Sequence, residues 1–543
     1  MAGFPWHALE DNLRNMLQAG FKVCVAEQEE SLRPGAKLLE RVVTRVYTPG
    51  SLYEESLIGV DDVANLAAVC VKSEGIGLAV LDASTGYVWT VEHRGKEMWS
   101  RLLDDLLRSN PRELVFSPRD ADRDEMRSIL SQLDGVTYSQ HSSSRKKGEK
   151  ALKSILEVAD LGHIDLGDSP LAMDAAGLAA DYIASMHIVD ALDVREVEII
   201  RPEGSMIIDQ TTLRNLELIQ TLSGEKEGSL LGSIDNCKTS MGRRKLKEWL
   251  LRPLAVKSDI ESRQDSVAAL ARSSRRLDEL RQALKGLRDM ERLATQLSYN
   301  RSAGRDLVAI ALALERMPKI KALCLEVNDS LLTNLGSNID SLEMMRIDIQ
   351  ANLNDEQPLS LRDGGLIREG ISEQLDELRK AAASGHKWFK DLESRERIRL
   401  DIPSLKVRHN RQIGWYIEVT KTHLSKVPEE WRRKQQMTNG NRYVTDDLIE
   451  WEDKLLTADS KANAIEYDMF RELRDRCREK SRILGAISSN IAKLDVLQCF
   501  ANVARNRMWT RPSITDDDKL IAKGLRHPVP VSYTHLTLPT TTI

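Results

Sequence analysis

Aromatic residues make up only 5% of this 543-residue chain, and cysteine occurs six times. The cysteines, at 24, 70, 237, 324, 477 and 499, form no Cys-x-x-Cys pair. That argues against a zinc site and a disulfide framework, and for a reducing compartment. No apolar run reaches the roughly twenty residues that span a bilayer, and no signal peptide opens the chain, so the cytoplasm is the expected location. A phosphate loop of the form G-x-x-x-x-G-K-S/T is also missing. Its nearest approach, Gly224-Glu225-Lys226-Glu227-Gly228-Ser229, has the wrong glycine spacing and places two glutamates where they would repel a triphosphate.

What is present is a helix-rich composition, 41% hydrophobic and 30% charged, with a formal net charge of −5. This length predicts roughly three to five domains. The organising stretch is residues 372–473, which predicts a long helix out, a β-rich tip and a long helix back. Ile371, Leu375, Leu378, Ala382, Phe389 and Leu392 recur largely at helical steps on the way out. Leu448, Trp451, Leu455, Ala462, Ile465 and Leu473 do so on the return. Between them the period falls to two: Leu405 and Val407 alternate with Lys406 and Arg408, and Trp415, Ile417 and Val419 with Tyr416, Glu418 and Thr420.

The tip is basic although the chain is acidic. Residues 405–442 hold nine Lys or Arg against Glu418, Glu429 and Glu430, a net of +6. A cationic patch at the end of helical arms suits binding to a phosphate backbone. The candidate DNA-binding residues are Arg408, Arg411, Lys421, Arg432, Arg433, Lys434, Asn439 and Arg442. A protein-only scaffold whose tip binds an acidic partner is the rival reading.

Before the arms, the first fifty residues read as a small α/β piece, with a helical face of Leu9, Leu13, Met16 and Leu17 and strands at 23–26 and 41–47. His7, alone near the start of a helix, reads as structural. Residues 51 to about 165 read as an α/β domain: strands at 66–71, 77–82 and 87–91, a helix through Met98, Leu102, Leu103 and Leu106, and a strand at 113–116. That order resembles a ribonuclease-H-like layout, but a two-metal nuclease needs several converging carboxylates and only Asp82 lies in a core strand. The polar run 142–150 reads as an exposed loop. From 168 the pattern predicts helix up to the tip, including 209–221 and 240–251, and a capping box at Ser258-Asp259-Ile260-Glu261. The stripe Leu277, Leu280, Leu284, Leu287, Met290, Leu293, Leu297 reads as helix–helix core, and 494–504 as a final amphipathic helix.

In the first piece stand Met1-Ala2-Gly3-Phe4-Pro5-Trp6-His7-Ala8, Ala26-Glu27-Gln28 and Thr48-Pro49-Gly50. Further on come Arg214-Asn215-Leu216-Glu217-Leu218, Met241-Gly242-Arg243 and Trp249-Leu250-Leu251-Arg252-Pro253-Leu254. Asp363-Gly364-Gly365, Gly414-Trp415-Tyr416-Ile417, Arg442-Tyr443 and Glu452-Asp453-Lys454 frame the arms and tip. Each is weak alone, but their order and spacing together are highly specific: over residues 1 to 528 the chain resembles the MutS DNA mismatch-repair family.

The resemblance implies a multidomain fold, mainly α with α/β parts. Residues 1–50 would be the rear of a mismatch-recognition domain and 51–167 a ribonuclease-H-like connector. Residues 168–395 with 453–510 would be a long-helix lever, 396–452 an inserted β-rich DNA clamp, and 511–530 the stub of an ATPase domain. It implies double-stranded DNA and a MutL-type protein, docked on the connector, as partners, a homodimer, and ATP with Mg²⁺ as cofactors of the intact family, a DNA-dependent ATPase. The family's Phe-x-Glu mismatch reader is expected upstream of the stretch that begins at Met1 and its Walker A loop past His527-Pro528, and neither is found there, while Thr438 and Asn441 stand where relatives often have Lys and Glu. The expectation is a gene fragment with a non-native tail at 531–543, no ATPase activity alone, and equal grip on matched and mispaired duplexes.

Overall fold

The computed structural model describes residues 3–4, 8–28, 41–52, 55–59, 62–156, 158, 160–161, 169–186, 194, 196–201, 204–410, 413–517 and 519–529. His7, Arg411 and the tail 531–543 lie outside them. The chain divides into two units. One takes Met1–Ser302, Leu312–Glu343 and Cys477–Ile543, the other Ala303–Ala311 and Met344–Arg476.

The first unit opens with the helix Leu9–Gln18 and an antiparallel pair, β1 (Val23–Gln28) and β2 (Arg41–Tyr47). Leu13, Leu17, Tyr47, Leu52, Leu57, Ile58 and Ala64 close a small core there. A six-stranded sheet follows, of β3 (Asn65–Lys72), β4 (Gly75–Asp82), β5 (Tyr87–His93), β6 (Glu113–Phe116), β7 (Thr137–Gln140) and β8 (Glu196–Ile199). Its order is β7-β6-β3-β4-β5-β8, with β3, β4 and β5 an antiparallel meander and parallel pairings outside it. All eight residues of β4 are buried, as a central strand covered on both faces requires. Ala67, Val69, Leu78 and Val80 face the helix Met98–Ser109, whereas Leu66, Ala68, Ala79 and Leu81 face Arg145–Leu156 and Pro170–Ser185.

Several expectations need correction here. Residues 145–150 are not an exposed loop but the first turns of the helix Arg145–Leu156, whose Leu152, Ile155 and Leu156 are buried. The α/β layer does not stop at 167, because Pro170–Ser185 packs on it and β8 pairs with β5. Uninterrupted helix from 168 therefore fails at β8, whose four residues are too few to show a period. The helix expected over 209–221 covers only Gln210–Asn215 and ends before Glu217, which has φ of 48°. At 257 the helix Lys257–Ala271 begins one residue before Ser258, so the expected capping box lies inside it and Val256 takes the N-cap without a side-chain bond.

Thr239 caps Ser240–Leu251, Ser273 caps Ser274–Leu284 and Asp289 caps Met290–Ser298, each accepting a backbone N–H from its first turn. The leucine stripe is buried at all seven positions, though it spans two helices. The final helix is longer than expected, Ser481–Asn506, and it is not amphipathic. Fifteen of its residues are buried, including Asp495 and Gln498, because neighbours cover it all round. Among the described residues it alone is long and apolar enough to cross a membrane, and 67% of its apolar window is buried inside the protein.

The second unit holds the arms, Glu373–Leu400 capped by Ser372, and Asp446–Arg478. Leu375 is buried, and Ala382, Phe389 and Leu392 share a core with Leu448 and Leu455, while Ile371, just before the cap, is exposed. Glu466 ties the arms together. It is 2% exposed, accepts from Leu366 N–H at 2.6 Å and pairs with Arg379 at 2.9 Å.

Candidate nucleic-acid interface

Between the arms lie β9 (Lys406–Asn410), β10 (Gly414–Thr420), β11 (Arg432–Gln436) and β12 (Gly440–Val444) in the order β11-β12-β10-β9. Side chains alternate across a sheet, so register decides which residues share a face. Ile417 pairs with Val407 and Tyr443, and this apolar row joins Trp415 and Val419 in a core with Phe389, Leu392 and Leu448. The opposite row runs Lys406, Glu418, Arg442, Gln435, with Arg408 beside Tyr416 and Arg432 beside Val444.

The arms hold this sheet by named contacts. Val407 N–H donates to Glu393 Oε2 at 2.7 Å, and Trp415 N–H to Glu452 Oε1 at 2.9 Å. Gly414 must be glycine on two grounds: its φ is 79°, and a Cβ would sit 2.1 Å from Glu452 Oε1. Trp415 stacks on Phe389 at 4.0 Å between ring centroids, and Trp388 on Trp451 at 5.3 Å.

The expected site residues do not form one row. Lys406, Arg408, Arg432 and Arg442 share the outer face by register, while Arg433 stands on the other parity of the edge strand. Lys434 falls at the irregularity between Arg433 and Gln435. Lys421 and Asn439 meet at the turn end, where Lys421 N–H donates to the Asn439 carbonyl at 3.1 Å, and both are exposed. Arg442 is drawn inward, its side chain 14% exposed, its guanidinium 4.3 Å from the Tyr416 ring centroid and bonded to Gln435 at 2.8 Å. Arg432 pairs with Asp446, and Lys426 with Asp401 at 2.8 Å. Lys426 in turn holds the Asp401 carboxyl below its ordinary value.

The cations left exposed and without an ion pair among the described residues are Lys406, Arg408, Lys421, Arg433 and Lys434. Lys406 contributes to the net charge of the tip, but the sequence pattern alone does not single it out as a contact. Its position two residues from Arg408, and so on the same face, is the signal that marks it.

Asp82 and the glycine loop at 224–229 both serve the fold. Asp82 accepts from Ser84 N–H at 2.9 Å, Ser84 Oγ at 2.7 Å and Thr85 Oγ1 at 2.9 Å, closing the β4–β5 turn. Lys226 pairs with Asp235 at 2.7 Å and the helix after its loop, Leu230–Ile234, has five residues, so the 224–229 loop does not fit a triphosphate. Among the described residues no three His, Cys, Asp or Glu are grouped to hold a metal ion.

Comparison with known families matches MutS domain I to residues 1–56, MutS domain II to 64–189 and MutS domain III to 211–501. The second match runs through the helix Pro170–Ser185, as the packing does. The chain is similar to the DNA mismatch repair protein MutS of Symbiobacterium thermophilum, 34% identical over 533 residues. That alignment covers 97% of this chain and 61% of the relative. It is also similar to MutS of Methanosarcina barkeri, at 34% over 98% of this chain and 61% of the relative. To MutS of Anaeromyxobacter dehalogenans it is 35% identical, over 97% of this chain and 60% of the relative. The chain thus spans about three fifths of the length of these relatives.

Proposed function

Because this chain belongs to the MutS family, we propose that it serves DNA mismatch repair by gripping duplex DNA through the phosphate backbone, with the β9–β12 tip as the gripping surface. The observation that carries this is the tip itself, where Lys406 and Arg408 on the outer face, Arg433 and Lys434 on the edge strand and Lys421 at the turn end stand exposed and unpaired among the described residues, on a sheet held by two long helices. Lysine and arginine on a sheet face meet phosphates without reading bases, so the grip is sequence-independent.

On this reading residues 396–452 are the clamp and the flanking helices the lever. The six-stranded layer is a ribonuclease-H-like connector that docks a MutL-type partner, and the β1–β2 piece belongs to the mismatch-recognition domain. The whole protein acts as a homodimer in the cytoplasm at the nucleoid. ATP and Mg²⁺ enter only through the whole protein, and none of the described residues is proposed to hold them.

The test is fluorescence anisotropy with a labelled duplex across a salt series. Neutralising the phosphates facing five free cations gives a slope of log K against log salt of about −4.5. Arg432→Glu combined with Arg433→Glu abolishes binding while thermal melting is unchanged. If the unaltered chain shows no salt-dependent duplex binding, the tip serves an acidic protein partner instead.

A further inference from the structure

The cationic face carries one acid at its centre. Glu418 stands on β10 between Lys406 of β9 and Arg442 of β12 in one cross-strand row. Its side chain is 31% exposed, and its Oε2 lies 3.8 Å from Arg442 Nε, too far for a hydrogen bond. Among the described residues that Nε has no hydrogen-bond partner, although Arg442 is otherwise held by the Tyr416 ring and Gln435. The other two acids of the tip, Glu429 and Glu430, lie in the exposed segment before β11, outside the sheet. A carboxylate in the middle of a phosphate-binding face is costly to binding, and among the described residues no side-chain hydrogen bond holds it there.

We propose that Glu418 is a restraint on DNA affinity. It sits inside the footprint, repels the phosphate that would approach the middle of the row, and draws off part of the charge of Arg442 and Lys406. The backbone then rests on the flanking cations alone, and the duplex is released more readily than from an unbroken cationic face. This rests on the reading of the tip as a duplex grip. It adds that the grip is set below the strength its own cations allow.

The experiment compares the full chain with Glu418→Gln, Glu418→Asp and Glu418→Ala on one labelled duplex, with thermal melts alongside. Glu418→Gln keeps the shape and removes the charge, and it tightens binding by about 3- to 10-fold. It also steepens the salt slope by roughly one unit, because the row then presents one more uncompensated positive charge to the phosphates. Glu418→Ala tightens binding likewise, and Glu418→Asp, which keeps the charge, stays within about twofold of the parent. Unchanged or weaker binding by both neutral variants, with the parent binding normally, overturns the restraint and leaves the grip standing. A lower melting temperature with weaker binding assigns Glu418 to sheet stability and overturns it too. No duplex binding by the parent chain removes the grip and the restraint together.

Discussion

Arg244, with its side chain 9% exposed, shows how a single cation can be committed to the fold. It pairs with Asp289 at 2.6 Å and with Glu291 at 2.6 Å, two acids that are themselves largely out of water. Burial raises the cost of ionising Asp289, but the Arg244 guanidinium more than offsets it and holds the carboxyl below its ordinary value. A depressed folded-state value means the pair stabilises above the unfolded carboxylate pKa of about 4 and loses that contribution as pH falls through the folded value. Arg244→Met removes the two-pronged bond to Asp289 and the bond to Glu291, leaving Asp289 with the more distant Arg292 at 3.7 Å, and costs roughly 3–5 kcal/mol at neutral pH. The gap between parent and variant in urea unfolding should shrink as pH falls out of the ordinary carboxylate range towards the depressed value at which Asp289 protonates in the parent. A gap that stays constant from neutral to acid pH would show that the charge of Asp289 plays no part. None of this is legible from spacing, since Arg244 and Asp289 are 45 residues apart and lie on different helices. At the tip the opposite holds, because a two-residue alternation is local and marks the outer face before any register is known.

Among the elements, the helices Arg145–Leu156 and Pro170–Ser185 cross at two glycines. A Cβ on Gly177 would come within 2.9 Å of Gly148 Cα, and one on Gly148 within 3.0 Å of Gly177. An ordinary helical glycine gains about 1 kcal/mol when replaced by alanine. Here Gly177→Ala should reverse the sign and lose roughly 1–3 kcal/mol, because the helices cannot separate without opening the core beneath them. The measurement is the urea midpoint, and a stabilised variant would mean the crossing is loose. The same crossing explains why 142–150 reads as a loop from its sequence: its polar residues face outward, and its inward positions begin only at Gly148. Long amphipathic helices are the easiest elements to read, as the arms show. The buried helix Ser481–Asn506 is harder, since a helix covered on every side has no polar face to mark its period.

Over the molecule, one carboxylate joins the β1–β2 piece to the sheet. Glu113 is fully buried on β6 and accepts from Gly50 N–H at 3.2 Å and from the hydroxyls of Ser139 and Tyr182. Lys22, from the loop before β1, lies 3.6 Å from it and donates to Ser139 Oγ at 2.7 Å. Burial and the neighbouring Glu113 charge push the Tyr182 phenol up, so it stays a hydrogen-bond donor across the physiological range. Glu113→Gln replaces an acceptor of charge-assisted bonds with a neutral amide. Amide exchange in residues 9–28 and 41–52 should then quicken by roughly tenfold or more, with residues 211–501 unchanged. Uniform quickening across the chain would instead make Glu113 a general stability residue.

By itself the sequence determined the paired helical arms, the alternating tip with its net positive charge, the meander of the α/β layer and the membership of the family. Each of these is written in residues a few positions apart, or in motifs whose order survives without coordinates. Only the tertiary structure decided which tip cations are free, which are neutralised by Asp401, Glu418 and Asp446, and that β8 returns to the sheet beside β5. Those outcomes depend on which residues meet across strands and helices distant in sequence, and periodicity carries the face of a residue but not its partner.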